Sequence, residues 1–158
     1  MGSKLVVTNK QAFRKDVKMG KVAVVFWSGT GNTQTMADAV ESGAKSAGAD
    51  VSVIAAADFD AEKVGEFDAI AFGCPAMGAE VLEESEFEPM FLSVEGALSG
   101  KKIGLFGSYG WGDGQWMRDW EDRCREAGAN LVMDGVMANN APDDGAIAEC
   151  ESLGAALA

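Results

Sequence analysis

Short runs of apolar residues alternate along the chain with segments whose apolar residues recur every three or four positions. The short runs are typical of buried strands in a parallel sheet, and the periodic segments are typical of helices that cover its faces. The pattern predicts strands at 21–27, 50–55, 68–73, 103–107 and 129–138. It predicts helices at 33–47, 87–98, 115–127 and 143–157, with a short helical turn at 60–65. We therefore expect an α/β fold, a three-layer α/β/α sandwich around a five-stranded parallel sheet.

Residues 1–18 do not follow this alternation. They hold five basic residues and one acidic residue, and Met19 begins the regular pattern. We expect a basic, poorly ordered N-terminal extension over 1–18 and a single domain over 19–158. A short edge strand over 5–7 is the alternative for the extension.

Composition narrows the classes of function. The chain has 158 residues, no histidine and a net charge of −12, so nucleic acid and anionic membranes are poor partners and a protein with a basic face is favoured. Its three cysteines are odd in number and lack metal-site spacing, which favours a reducing, cytoplasmic setting. No segment is typical of a membrane span or a signal peptide. We expect no metal and no catalytic residue.

The negative charge is concentrated after the extension. Residues 21–158 contain eight basic and 24 acidic residues, and no Lys or Arg lies between Lys63 and Lys101. Within that interval, five glutamates crowd together over nine positions: Glu80, Glu83, Glu84, Glu86 and Glu88. They predict either a solvated acidic face or a ring of negative charge around a redox centre.

The segment that follows the first predicted strand, called here the first loop, has the chemistry of a phosphate site without a cation. It comprises Ser28, Gly29, Thr30, Gly31, Asn32 and Thr33. Its glycines permit a sharp turn, its hydroxyl and amide groups can donate, and the helix that follows offers unpaired N–H groups. The loop lacks the Gly-Lys-Ser/Thr of a Walker A sequence, and Gln34 stands where a dinucleotide fingerprint has its third glycine. An ordinary tight turn between strand and helix remains the alternative.

Two further loops should meet the first one, because ligands of open α/β sheets bind outside the carboxyl ends of the strands. The second loop, 74–80, follows the third strand and reads Cys-Pro-Ala-Met-Gly-Ala-Glu. The third loop, 108–114, follows the fourth strand and reads Ser-Tyr-Gly-Trp-Gly-Asp-Gly. Aromatic residues among glycines predict a surface for a flat ligand, with a flexible surface loop as the alternative. The stripe of Trp116, Trp120, Cys124 and Ala127 in the next helix is interpreted as core.

These motifs, together with the acidic run over 80–89, resemble a short-chain flavodoxin of the clostridial type, and the resemblance extends over residues 21–158. It implies a sheet of order 2-1-3-4-5 and a non-covalently bound FMN. The FMN-binding residues that it implies are Ser28, Gly29, Thr30, Gly31, Asn32, Thr33, Pro75, Ala76, Met77, Gly78, Ala79, Glu80, Ser108, Tyr109, Gly110, Trp111, Gly112 and Asp113.

The resemblance also implies individual roles. The first loop would hold the phosphate, the flavin ring would lie between Met77 and Trp111, and Glu80 would accept from the flavin N3–H. Pro75 has no N–H or hydroxyl to donate, unlike the serine of some relatives. The peptide between Gly78 and Ala79 would turn over when the flavin takes one electron.

The implied function is a low-potential one-electron carrier that cycles mainly between semiquinone and hydroquinone. It would be a cytoplasmic monomer that serves redox proteins with a basic docking face, and it would not itself be an enzyme. An FMN-dependent quinone or nitro reductase on the same fold is the main alternative, because fold alone does not decide function. A regulatory phosphate-binding or nucleotide-binding module is a third possibility, which the lack of acidic residues after the first strand disfavours.

Overall fold

A parallel sheet lies at the centre of residues 20–158, the part of the chain that the computed structural model describes. Its strands are β1 (Lys21–Phe26), β2 (Asp50–Ala55), β3 (Ala69–Gly73), β4 (Lys102–Tyr109), β5 (Asn130–Leu131) and β6 (Val136–Asn139). The order across the sheet is β2-β1-β3-β4-β5, and β6 also pairs with β4. All of these pairings are parallel. The predicted strand order is confirmed.

Helices cover both faces of the sheet and complete the three predicted layers. They are α1 (Asn32–Ser46), α2 (Ala61–Val64), α3 (Phe87–Val94), α4 (Gln115–Glu126) and α5 (Asp144–Leu157), with short 3₁₀ turns at Ala56–Asp58 and Glu95–Ala97. One core cluster joins the sheet to α3 and α4, and a second joins it to α1 and α5. Trp116, Trp120 and Cys124 of α4 are buried in the first cluster, as the sequence predicts.

Strand β1 shows why the sheet needs helices on both faces. Val22 and Val24 belong to the core on the side of α1 and α5, whereas Ala23 and Val25 belong to the core on the other side. Successive side chains of a strand point to opposite faces, so an uninterrupted apolar strand must be buried on both.

Helices α1 and α5 approach each other closely at two glycines. A Cβ atom on Gly43 would lie 2.0 Å from the backbone oxygen of Glu151, and one on Gly154 would lie 2.1 Å from the backbone oxygen of Val40. Any side chain at either position would push the helices apart. This contact fixes α5 beside the helix that begins at the first loop.

The prediction of one continuous strand over 129–138 is wrong, because the structure divides this segment into β5 and β6. Val132 still donates its N–H to the Ile103 oxygen at 3.0 Å, but the Gly135 N–H donates to Glu121 Oε2 at 2.7 Å. A Cβ atom on Gly135 would lie 2.4 Å from the sulfur of Met117. Met117 and Glu121 of α4 therefore contact the backbone at Gly135, which would otherwise continue the hydrogen bonding of β5 with β4.

The expected extension over 1–18, its alternative strand at 5–7 and the domain start at Met19 lie outside the described residues. The division of the chain at residue 19 stays a prediction. Within residues 20–158, no helix combines the length and apolar character needed to cross a bilayer.

Candidate functional site

The first loop turns from β1 into α1 around the hydroxyl of Ser28. Ser28 Oγ accepts hydrogen bonds from the N–H groups of Gly31, at 3.1 Å, and Gln34, at 3.3 Å. Gly31 is the N-cap of α1, with φ of 99°, and it provides no side-chain cap for the helix. The first N–H groups of a helix have no partner within the helix itself. The loop therefore presents backbone donors at the positive end of α1, as a phosphate site requires.

Thr33 lies beneath this loop. Its side chain is buried, and its Oγ1 is 3.3 Å from Ser108 Oγ at the end of β4. The contact joins the first loop to the third, although β3 lies between β1 and β4 in the sheet. Thr33 thus anchors the end of the first loop against the end of β4.

The second loop is closed by a two-residue bridge. The Met77 N–H donates to the Val81 oxygen at 2.8 Å, and the Val81 N–H donates to the Met77 oxygen at 2.9 Å. Between them Gly78 has φ of 50° and Glu80 has φ of 56°. Only glycine takes positive φ without a steric cost, so the turn is strained at Glu80 and unstrained at Gly78. The bridge holds both ends of the turn, and the central peptides lie outside its two hydrogen bonds.

Glu80 is held toward the third loop. Its Oε1 accepts from the N–H of Gln115 at 3.0 Å, at the start of α4. A Cβ atom on Gly112 would lie 2.5 Å from the Glu80 carboxyl carbon, so the backbone of the third loop packs directly against this side chain. The carboxylate links the second and third loops and lies at the positive end of α4.

The third loop places two aromatic residues differently. Tyr109 is half-buried and packs against Trp116, with ring centroids 5.4 Å apart. Trp111 is 54% exposed, which is unusual for the largest apolar side chain. Asp113 accepts from Arg118 through its side chain at 3.0 Å, which ties the end of the loop to α4.

The three loops meet at a cavity of about 220 Å³ at the carboxyl edge of the sheet. Its walls include Gly29, Thr30 and Asn32 of the first loop, Pro75, Ala76 and Met77 of the second, and Ser108, Tyr109 and Gly110 of the third. The cavity lies where β1 and β3 are neighbours, which is the point at which the strand order reverses. Among residues 20–158, no Lys or Arg lines it. Backbone and hydroxyl donors would have to hold an anion there.

The remaining predicted site residues lie outside the cavity walls. They are Ser28, Gly31, Thr33, Gly78, Ala79, Glu80, Trp111, Gly112 and Asp113. Ser28 and Thr33 support the first loop, and Glu80 is bonded to Gln115. The exposed Trp111 does not line the cavity in this arrangement.

Two further residues line the cavity that the sequence analysis missed, Trp27 and Asn140. Trp27 ends the first predicted strand, and a Cβ atom on Gly29 would lie 3.0 Å from its indole ring. Asn140 follows β6, has φ of 59° and donates its N–H to the Tyr109 oxygen at 2.8 Å. The rule that placed the second and third loops applies equally to the end of the last strand, so the Asn-Asn pair at 139–140 was the available signal.

The glutamates of the acidic run differ in their environments. Glu83 is buried, and its carboxylate accepts from the Ser85 hydroxyl and from the N–H groups of Ser85, Glu86 and Phe87, each of these three at 2.8 Å. Burial alone would raise the pKa of Glu83, but these donors lower it overall. Glu83 therefore stabilises the start of α3, whereas Glu84 and Glu86 are exposed.

Glu88 belongs to an ion-pair network on the outer side of α3 and α4. Arg123 donates to both oxygens of Glu88, at 2.8 and 2.6 Å, and to both oxygens of Glu95, at 2.9 Å each. Its guanidinium carbon lies 4.9 Å from the centre of the Phe91 ring. Burial alone would lower the pKa of Arg123, but the two carboxylates raise it overall. The network clamps α3 to α4, so Glu88 does not act as an isolated surface charge.

The cysteines are free and buried. Burial raises the pKa of Cys124 and of Cys150 to about 12, and it raises the pKa of Cys74 as well. All three therefore stay protonated near neutral pH, and thiolate chemistry is not available to the site. Within the described residues, no group of acidic or cysteine side chains is arranged to hold a metal ion.

The chain is similar to known proteins over most of its length. The profile of the family described as Flavodoxin matches residues 24–154. A flavodoxin of Megasphaera elsdenii is 47% identical over 137 residues, which covers 87% of this chain and 98% of that protein. A flavodoxin of Clostridium beijerinckii is 45% identical over 135 residues, covering 85% and 97%. The solution structure of two-electron reduced Megasphaera elsdenii flavodoxin superposes with a TM-score of 0.80 at 46% identity, covering 86% and 97%.

Proposed function

The chain belongs to the flavodoxin family and is an FMN-binding electron carrier, and we propose that the cavity between the first, second and third loops is where its FMN binds. The observation that carries this assignment is the convergence of the three loops at the reversal of strand order. When bound, FMN supplies one-electron transfer, which no side chain of this cavity supplies by itself.

The donors of the first loop suit the phosphate end of the cofactor. Backbone N–H groups at the start of α1 and the hydroxyl of Thr30 would donate to the phosphate oxygens. Ser28 Oγ already accepts from two N–H groups of the loop, which leaves its own proton available to donate. Pro75 lines the cavity without a donor, so it contributes shape alone.

Met77 and Trp111 are proposed to cover the two faces of the flavin ring. Met77 already lines the cavity, and its thioether is suited to contact a π-system. The half-exposed indole of Trp111 would lose contact with water by lying over the ring. Glu80 is proposed to accept from the flavin N3–H with the oxygen that Gln115 does not use.

The turn between Met77 and Val81 is proposed as the moving part of the site. Its ends are held by the two bonds of the bridge, while the Gly78–Ala79 peptide follows Gly78, which has positive φ. A carbonyl that turned toward the ring would accept one new hydrogen bond, worth about 1–1.5 kcal/mol. For a one-electron couple, about 1.4 kcal/mol corresponds to about 59 mV. One backbone bond is therefore enough to separate two reduction steps usefully.

The negative charge of the chain is proposed to lower the second reduction potential. At a surface-like dielectric constant, two unit charges about 8–10 Å apart interact by roughly 2 kcal/mol, and salt reduces this value. The exposed carboxylates Glu84 and Glu86 contribute in this way. The buried Glu83 and the paired Glu88 are already compensated by hydrogen-bond donors. The protein would then cycle mainly between its one-electron and two-electron reduced states at low potential.

The same charge favours redox partners with a basic face. We further propose that the protein works as a monomer in the cytoplasm, because only five large apolar side chains are exposed among the described residues. Its three reduced, buried thiols suit that compartment.

We propose that the protein carries electrons without turning over a substrate of its own. The test is steady-state oxidation of NADPH by the purified holoprotein, with and without a quinone acceptor. A carrier gives no sustained turnover by itself but is reduced when a flavin-dependent reductase is added. Sustained NADPH oxidation without that reductase would contradict the proposal and favour a quinone or nitro reductase.

A further inference from the structure

A second groove, of about 360 Å³, lies beside the proposed FMN cavity. It runs between the end of β6 and the first turns of α5, and Asn139 is one of its walls. Asn139 Oδ1 accepts from Asn140 Nδ2 at 3.2 Å, and Asn140 lines the FMN cavity. The groove and the FMN cavity therefore meet at the hydrogen-bonded pair of Asn139 and Asn140.

The groove combines an apolar surface with two carboxylates. Met137 is 38% exposed and forms one side, and small residues of α5 keep the space open. Asp143, at the N-cap of α5, and Glu149, in its second turn, also line the groove. Asp143 Oδ1 accepts from the Ala146 N–H at 2.8 Å as the N-cap of α5, so this carboxylate is held in place.

In the part of the chain that the structure describes, no Lys or Arg is among the walls of the groove. Residues 126–158 contain six acidic residues and no Lys or Arg. Arg118, on α4, donates to Asp113 and Gln115 and is not one of the walls of the groove. A groove with two carboxylates and a thioether, and with no Lys or Arg among its described walls, is complementary to a long side chain that carries a positive end.

We propose that this groove takes one Lys or Arg side chain of the redox partner, with its aliphatic stem against Met137 and its charged end between Asp143 and Glu149. The inference rests on the proposed function, since it names where the basic face of the partner is anchored. Because Asn139 is a wall of this groove, a partner anchored in the groove would lie directly beside the proposed FMN cavity.

The test measures binding of the oxidised holoprotein to cytochrome c, a basic redox protein, by calorimetry at several salt concentrations. The double variant Asp143→Asn, Glu149→Gln removes both carboxylates while asparagine keeps the N-cap. The double variant Glu126→Gln, Glu151→Gln removes the same charge from exposed positions outside the groove. We expect the groove variant to bind about threefold to tenfold more weakly than the control variant, with unchanged FMN absorbance.

Each other outcome has a separate meaning. If the wild-type protein shows no salt-dependent binding, the proposed basic docking face is wrong, and the groove assignment fails with it. If the groove and control variants bind equally, the groove is not the anchor, while the proposed function stands.

A third variant of the full chain tests whether its own basic extension occupies the groove. It carries Lys10→Gln, Arg14→Gln, Lys15→Gln and Lys18→Gln. If these changes strengthen cytochrome c binding only while Asp143 and Glu149 are present, the extension is the occupant and the partner assignment is overturned. Equal changes in both backgrounds support the partner assignment.

Discussion

The buried hydroxyl oxygens of Thr33 and Ser108 lie 3.3 Å apart and join the start of α1 to the end of β4. The two residues are 75 positions apart in the chain, and each belongs to a different loop of the proposed FMN cavity. This bond fixes the first loop relative to the third. It also shows that a predicted ligand-binding residue can act by holding the loops in position.

Replacing Ser108 with alanine should therefore weaken FMN binding. The change leaves the buried Thr33 hydroxyl without this partner, which costs about 1 kcal/mol and corresponds to about a fivefold weaker affinity. Titration of the apoprotein with FMN, followed by flavin fluorescence, measures the change. Thr35→Ala is the control, since it removes an exposed hydroxyl that bonds only the Gly31 oxygen of its own helix start. Equal affinities for Ser108→Ala and Thr35→Ala would show that the buried bond does not support the cavity.

Trp111→Ala should raise the fluorescence of bound flavin and weaken FMN binding, because stacking against indole normally quenches the flavin. The free energy of unfolding of the apoprotein should change by less than about 0.5 kcal/mol, since the side chain is more than half exposed. Fluorescence lifetimes and urea unfolding measure the two effects. Trp27→Ala provides the comparison, because Trp27 also lines the cavity. If that variant raises the fluorescence and Trp111→Ala does not, Trp27 is the stacking residue.

Gly78→Thr should lower the first reduction potential. Gly78 has φ of 50°, and a Cβ atom there would meet only Val81, at 4.0 Å, so the cost is one of backbone conformation rather than of space. Positive φ costs an L-residue about 1–2 kcal/mol, which corresponds to about 40–80 mV for one electron. Spectroelectrochemical titration measures the shift, and Gly78→Ala, without a branched Cβ, should shift the potential less. An unchanged potential in both variants would show that the turn at Gly78 does not set the first reduction potential.

Glu83→Gln should destabilise the protein by about 2–3 kcal/mol at pH 7, because a buried carboxylate with several donors is replaced by an amide. The folded-state pKa of Glu83 is lowered, so its contribution is present above the unfolded pKa and is lost as the pH falls through the folded pKa. In urea unfolding, the difference between wild type and variant should therefore shrink as the pH falls below about 4.3, the ordinary pKa of Glu. The exposed neighbour Glu84→Gln is the matched control and should be nearly neutral. A destabilisation that does not depend on pH would show that charge is not the reason for it.

Much of the fold could be predicted because the central strands β1, β3 and β4 must be buried on both faces and each helix on one. That requirement produces the apolar runs and the periodic stripes, and Val22 to Val25 show it most clearly. The location of the cavity was also predictable, since the carboxyl ends of neighbouring parallel strands meet at one edge.

The interruption of the last strand could not be predicted from its own residues. It depends on Met117 and Glu121 of α4, which contact Gly135 from another layer. The different roles of Glu83 and Glu84 could not be predicted either, because they also depend on contacts with other parts of the fold. Glu83 and Glu84 are neighbours with the same side chain, yet one is buried beneath the start of α3 and the other is exposed.

We propose that this chain carries one electron at a time on FMN held by the three loops. The deciding experiment is an anaerobic reductive titration of the purified holoprotein, followed by visible absorbance. We expect a yellow protein that accumulates a blue one-electron-reduced state before it bleaches, with two well-separated potentials. Direct conversion to the two-electron form, without the blue state, would contradict it.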